Sequence, residues 1–189
     1  MVEGNVALRP VRPDDLPLLR RWQTDPRIMT GWGMPQPLRA HNAFEHQIVG
    51  EFTRFESAAV FIIEGDGEPV GRIDFSDFDP RHRSAELAIY IGEVDAQGKG
   101  YAGNAIKAIS TYLILQRGVH RIELNVLEWN QRAHDLYLRL GFRDEGLLRD
   151  HMYFDGVWHS EYQMALLASD PVDWLPDGQP PEYVRQTAT

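Results

Sequence analysis

The residues richest in chemical meaning are Gln97-Gly98-Lys99-Gly100-Tyr101-Ala102. They lie between a strand-like run, Ala85–Ile91, and a long helical run, Tyr101–Arg117. A glycine-rich turn that leaves a strand and opens a helix aims several backbone N–H groups at one point, where the positive end of the helix dipole also falls. Such a point holds phosphate. Gly98 and Gly100 allow the backbone to come close, because a Cβ at either would crowd phosphate oxygens. Lys99 is either a point charge for that phosphate or a solvated lysine. Two further positions carry chemistry. Glu86 places a charge in mid-strand, which calls for a purpose or a partner. Tyr137 sits on an apolar helical stripe, where position alone reads it as a core residue.

Three phosphate-binding patterns compete for the glycine turn. The P-loop needs G-x-x-x-x-G-K-[ST]; here Gly100 follows Gly98-Lys99, and the upstream glycine position holds Glu93. It fails twice. The dinucleotide fingerprint G-x-G-x-x-G matches Gly98, Gly100 and Gly103, with Glu123 at a plausible distance for a ribose contact. Its context does not match, since that fold wants repeated βαβ units with near-continuous apolar strands. The third pattern is Q/R-x-x-G-x-G/A, filled by Gln97, Gly100 and Ala102.

The elements that must position these residues are legible around them. Val6–Pro10 reads as a first strand, and Pro13–Trp22 as a helix with Pro at its start and Asp14 and Asp15 in its first turn. Residues 30–37 read as a Gly- and Pro-rich loop containing Gly31-Trp32-Gly33, and Arg39–Phe55 as a second helix. His41 and His46 on that helix are not at metal-ligand spacing, and no metal site is expected. Ala58–Glu64 and Pro69–Asp77 flank Gly65-Asp66-Gly67 as a hairpin. Strand Ser84–Ile91 follows; by alternation Glu86, Ala88 and Tyr90 share one face, and Leu87, Ile89 and Ile91 the other.

Beyond the glycine turn, Ala102, Ala105, Ile106, Ile109 and Leu113 give the next helix a core face, and Gly118 ends it. Arg121–Leu127 is the next strand. Asn130 falls at a helix N-cap, ahead of a stripe formed by Ala133, Leu136, Tyr137 and Leu140 and closed by Gly141. Phe142–Phe154 and Val157–Leu167 form a last hairpin around Asp155-Gly156. Residues 169–189 form a Pro- and acid-rich tail, poorly ordered or wrapped on the surface of the domain formed by residues 1–168.

Composition narrows the function classes. At 189 residues the chain suits one domain with a single core. It has no cysteine, and so no disulfide framework, thiol nucleophile or zinc knuckle. The opening residues lack the pattern of a signal peptide, and no stretch approaches the ~18 apolar residues of a membrane span. A cytoplasmic protein is expected. The net charge of −9 opposes nucleic acid and anionic membranes as partners. It suits cationic small substrates, and equally a surface that is acidic only for solubility.

With the third pattern the sequence resembles the GNAT superfamily of acyl-CoA N-acyltransferases. The string from Ala85 to Ala102 is similar to the branch containing ribosomal-protein and spermidine acetyltransferases. Asn130-x-x-Ala133-x-x-Leu136-Tyr137-x-x-Leu140-Gly141-Phe142 agrees with that branch, as do Leu8-Arg9-Pro10 and Asp14-Asp15-Leu16-Pro17 near the start. The resemblance implies an α/β fold (an α+β mixed sheet): a single domain with a splayed, mostly antiparallel central sheet of about seven strands and about four helices. The splay falls between Ser84–Ile91 and Arg121–Leu127. It takes the pantetheine arm of acetyl-CoA along the backbone of Ile89 and Ile91, and the pyrophosphate at Gln97, Gly98, Lys99, Gly100, Tyr101 and Ala102. Asn130 holds the arm or merely caps its helix. A homodimer is a common state in such a family.

The reaction implied is attack of a primary amine on a thioester: a polyamine, another small amine or a protein N-terminus. At pH 7 a lysine-like amine of pKa about 10.4 needs roughly 4–5 kcal/mol to shed its proton, so a general base is useful. Glu86 is the favoured base, against an ion pair with Arg72 or Arg121; Asp74, Glu123 and His151 are weaker candidates. The resemblance gives Tyr137 the task of protonating the departing thiolate. The acceptor should lie among the amino-terminal helices, the Trp32 loop and the last hairpin, with Trp32, Tyr153, Trp158 and His159 either lining it or packing. Glu93 and Asp95, just ahead of the phosphate loop, are expected to point away from it. The competing reading is a module that binds or senses acyl-CoA without chemistry.

Overall fold

Period-two alternation and tight turns build a single sheet across the molecule. The computed structural model describes residues 1–32 and 57–175; the helix expected over Arg39–Phe55 lies outside them. The strands are β1 (Val2–Glu3), β2 (Val6–Pro10), β3 (Ala59–Gly65), β4 (Glu68–Asp79), β5 (Ser84–Ile91), β6 (Arg121–Leu127), β7 (Arg143–Phe154) and β8 (Val157–Leu167). They form one eight-stranded sheet in the order β1-β2-β3-β4-β5-β6-β8-β7. Every neighbouring pair is antiparallel except β5 and β6. The helices among the described residues are α1 (Leu16–Gln23), α2 (Pro26–Met29), α3 (Tyr101–Arg117) and α4 (Gln131–Arg139).

The turns obey backbone sterics. Asp66-Gly67 and Asp155-Gly156 close the two hairpins with positive φ at both residues, the conformation that lets a two-residue turn follow strand twist. Gly118 stops α3 at φ 69°. Two short elements add to the expectation. β1 pairs with β2 through Val2↔Ala7 and Glu3↔Val6. The first helix begins as a 3-10 turn at Pro13–Asp15, and Asp15 turns back to accept from the Arg12 N–H and from Arg9.

The sheet has two unlike faces. On one, α3 packs Ala105, Ile106, Ile109 and Leu113 against Leu8, Phe61, Ile73, Leu87 and Ile122. Ala102, expected on that core face, is only partly buried and lies at a cleft mouth instead. On the other, Leu19, Trp22, Ile28 and Met29 of α1 and α2 cover Ile62 and Tyr90. The beginning of the tail packs too: Val172, Trp174 and Leu175 lie against the main core, and the Trp174 indole donates to the Leu140 carbonyl at 3.1 Å.

The parallel junction is short. β5 and β6 pair only through Ser84↔Arg121, Ala85↔Ile122 and Glu86↔Glu123. Beyond Glu86 the strands part and leave a wedge-shaped gap in the middle of the sheet. The expected splay is therefore present, and it opens toward the end of β5 that carries the glycine turn.

Candidate active site

The gap continues into a cleft of about 410 Å³. One wall is β5 and the following turn, with Ile89, Ile91, Gln97, Gly98, Gly100, Tyr101 and Ala102; the other carries Asn130, Arg132, Ala133, Leu136 and Tyr137. The structure thus brings together most of the residues picked out from the sequence. Two do not join them: Lys99 is exposed, and neither it nor Glu86 belongs to the lining, Glu86 lying below it where β5 and β6 still pair.

The glycine turn has the backbone an anion cradle needs. Gly98 and Gly100 both stand at φ +85°, and a Cβ on Gly100 would meet no protein atom within 4 Å. Only something occupying the cradle would feel it. Tyr101 contributes backbone alone, because its ring turns beneath Gly65 and its hydroxyl donates to Asp66 at 2.5 Å. Glu93 is drawn away by the Arg21 guanidinium and the Trp22 indole, which hold its carboxyl below the usual range. Neither Glu93 nor Asp95 lines the cleft.

Arginines supply charge that sequence reading missed. A Cβ built on Gly98 would come within 3.1 Å of Arg132 Nη2, so this guanidinium overhangs the cradle. Arg139 and Arg27 also reach the lining, the latter tied to Asp25. The available signal was Arg132's place two residues after the N-cap, close to the second wall.

Asn130 does two jobs. Its side-chain oxygen accepts from the Ala133 N–H at 3.3 Å as an N-cap, and its amide donates to the Gly31 carbonyl at 3.1 Å. Tyr137 is 8% exposed and packs on Phe142, yet it lines the cleft. The core reading and the site reading thus describe one residue: a ring anchored in the core at the cleft wall. Burial pushes its phenol up to about 12, and its hydroxyl makes no hydrogen bond among the described residues.

Glu86 is half-buried and has no ionic partner among the described residues. The two arginines that might have paired with it are engaged elsewhere: Arg72 bonds Asp74 at 2.8 Å, and Arg121 bonds Glu123 and Glu145. His151 is likewise bound to Glu161 at 2.6 Å. Of the four base candidates, Glu86 alone has no ionic partner of opposite charge among the described residues. Burial raises its carboxyl above the usual range, and the carboxylates of Asp77, Glu123, Asp74 and Glu161 add to this. By register Glu86, Asp74, Glu123 and Glu161 share the sheet face opposite α3.

The other aromatic candidates separate by position. Trp32 lines the cleft, packs edge-on against Tyr90 at 5.2 Å, and belongs to a short 3-10 turn, Thr30–Trp32, where a plain loop was expected. Tyr153, Trp158 and His159 cluster near the tip of the β7–β8 hairpin, with Tyr153 and Trp158 exposed, and none of them lines the cleft. Among the described residues no group of three His, Asp or Glu side chains gathers as metal ligands do, and no helix is long and apolar enough to cross a membrane.

A split sheet, a glycine cradle opening a helix and a tyrosine on the facing wall form one constellation, and residues 5–143 match the Acetyltransferase (GNAT) domain family. The chain belongs to this family. The spermidine N(1)-acetyltransferase of Escherichia coli K12 is 27% identical over 162 residues, 86% of each chain. The ribosomal protein uS5-alanine N-acetyltransferase of the same organism is 32% identical over 133 residues, covering 68% of this chain and 66% of that one. The spermidine N-acetyltransferase of Vibrio cholerae, solved with CoA and spermine, superposes with a TM-score of 0.80 at 26% identity, over 88% of this chain and 97% of the other. The protein is an acetyl-CoA-dependent N-acetyltransferase, and a module without chemistry is set aside. The cleft fits the cosubstrate on its own terms: an open cradle at two left-handed glycines, an overhanging guanidinium and a strand edge that β6 leaves unpaired beyond Glu86.

Proposed function

We propose that this acetyltransferase moves the acetyl group of acetyl-CoA to a primary amine of a small polycation, by direct attack with both substrates bound. The observation that carries the reading is the Glu86 carboxylate at the head of the splay, half-buried and without an ionic partner among the described residues. A partly buried carboxylate that no cation neutralises attracts cations to its neighbourhood. It gives an ammonium group a partner on arrival and a proton acceptor before attack.

Glu86, directly or through a water, takes one proton from the ammonium group. The neutral nitrogen adds to the thioester carbonyl and a C–N bond forms; the adduct nitrogen releases its second proton to solvent, the carbonyl re-forms and the C–S bond breaks. The electron pair leaves on sulfur. Tyr137 stands on the wall where the thiolate develops, as the donor to it. A phenol near 12 stays protonated throughout the working range. Full transfer to a thiol of pKa about 8.5 is uphill by about 5 kcal/mol, so Tyr137 acts by donating a hydrogen bond to the growing charge, with the proton following as solvent re-enters. The absence of cysteine removes a thiol acyl-enzyme route.

The test is acetyl-CoA-dependent thiol release with spermidine, spermine, aminoglycosides, amino acids and peptides carrying an N-terminal alanine. Turnover of the polyamines at kcat/KM at least tenfold above the peptides supports the proposal; preference for the peptides overturns it in favour of a protein N-terminus. Glu86→Gln should lower kcat/KM for the preferred amine by about 10²-fold at pH 7. Its pH profile decides the cause. A base works only when deprotonated, so wild-type activity falls as pH drops through the raised Glu86 pKa, and that limb should vanish in the variant. Arg132→Ala should weaken acetyl-CoA binding about tenfold, the worth of one charge-assisted hydrogen bond, with little change in the KM for amine. Calorimetric titration measures it; an unchanged Kd would remove Arg132 from the phosphate site.

A further inference from the structure

Two carbonyl groups on the free edge of β5 are occupied by side chains of the protein itself. Past the last β5–β6 pair, the Trp32 indole donates to the Ile89 carbonyl at 3.1 Å, and the Gln97 amide donates to the Ile91 carbonyl at 3.2 Å. The Thr30–Trp32 turn is held from the far wall as well, through the Asn130 amide on the Gly31 carbonyl at 3.1 Å. A Cβ on Gly31 would lie 3.4 Å from that amide, so the turn is pressed close to the second wall. The turn therefore bridges both arms of the splay, at the level of Ile89.

That level lies on the path of the cosubstrate, if the reading above holds. The phosphate cradle is at Gly98 and Gly100, and Tyr137 stands on the facing wall. An arm reaching from one toward the other runs along β5 past Ile91 and Ile89. Its pantetheine portion carries two amide N–H groups, which need acceptors once they leave water. We infer that the Trp32 indole is a stand-in donor on the Ile89 carbonyl, displaced by a pantetheine amide, and that its release removes the tie of the 30–32 turn to β5 while the Asn130 amide still holds Gly31. Trp32 thereby sets cosubstrate affinity. A carbonyl on a buried edge is seldom left without a partner, which is why an indole fills the place meanwhile.

The test uses coenzyme A and the whole chain. Trp32→Phe keeps an aromatic ring beside Tyr90 and removes the competing donor, at the cost of the smaller ring's lost packing. Calorimetry should show coenzyme A binding two- to tenfold more tightly to this variant than to wild type, the range expected for losing one neutral competing hydrogen bond. A second measurement does not depend on the variant's stability. Of the indole ¹⁵N–¹H resonances of the five tryptophans, the one missing in Trp32→Phe should move and lose its exchange protection when coenzyme A is added to wild type. Equal or weaker binding by the variant, or a Trp32 resonance that stays in place while coenzyme A binds, overturns the inference. No binding to either protein would instead overturn the acyl-CoA reading of the cleft, and the latch with it.

Discussion

Tyr137→Phe should lower kcat for acetyl transfer by about 10²- to 10³-fold while changing the Kd of acetyl-CoA by less than about twofold. The separation follows from what is removed. The ring stays packed on Phe142 in the core, and only the hydroxyl at the cleft wall is lost. That hydroxyl makes no hydrogen bond among the described residues, so its removal leaves nothing stranded, and stability should hold or rise slightly. A purely structural tyrosine would show the reverse pattern, with unchanged kcat. Single-turnover rates with a thermal melt on the same samples separate the two, and a kcat within fivefold of wild type would remove Tyr137 from the chemistry. The pH dependence adds a second check. A donor must be protonated, so activity is lost only as pH rises through its pKa. With the phenol near 12, the wild-type enzyme should show no basic limb from this group below about pH 11, whereas an ordinary tyrosine near 10 would produce one.

Gly100→Ala should weaken acetyl-CoA binding by about 10²-fold, or roughly 2.7 kcal/mol, comparable to losing one or two hydrogen bonds to a charged phosphate. Two effects must be separated. At φ +85° any side chain strains the backbone, at a cost of about 1–2 kcal/mol, and Tm should fall by roughly 2–8 °C. The methyl group itself meets no protein atom within 4 Å, so its steric effect falls on whatever fills the cradle. Gly156→Ala is the matched control. It too has positive φ, at +78°, with open space around it, but it sits in the β7–β8 turn. It should lose similar stability and leave the Kd alone. Equal affinities for the two variants would mean that the glycine turn is not the phosphate site.

What could be read from the residues in advance was mostly local. Asp155-Gly156 specifies its turn because both residues tolerate left-handed backbone, and Gly118 stops α3 for the same reason. The alternation of β5 assigned Glu86 and Tyr90 to one face without any tertiary knowledge. The glycine turn can be placed because a strand precedes it and a helix follows, whereas Tyr137 reads as a core residue by position and is singled out through the family resemblance. What escaped depends on residues distant in sequence. Whether Glu86 has a partner was settled by Asp74 and Glu145, each of which engages a candidate arginine. Nothing in Gly31-Trp32 reveals that both residues reach across to Asn130 and Ile89. The overhang of Arg132 above Gly98 likewise exists only once α4 is docked.

The three-pair junction between β5 and β6 also bears on self-association through exposed strand edges. A strand edge with unpaired amides invites another sheet to add to it, and chains usually guard against this with charges, prolines or bulges at the periphery. Here the raw edges lie in the middle of the sheet and face each other across a notch, where the strand of a neighbouring molecule would have to thread between two walls. Side chains already cap the carbonyls of Ile89 and Ile91. The fold can thus keep an unpaired edge within reach of a ligand, in the notch proposed here for acetyl-CoA, without presenting it at the periphery where a second copy could add a strand.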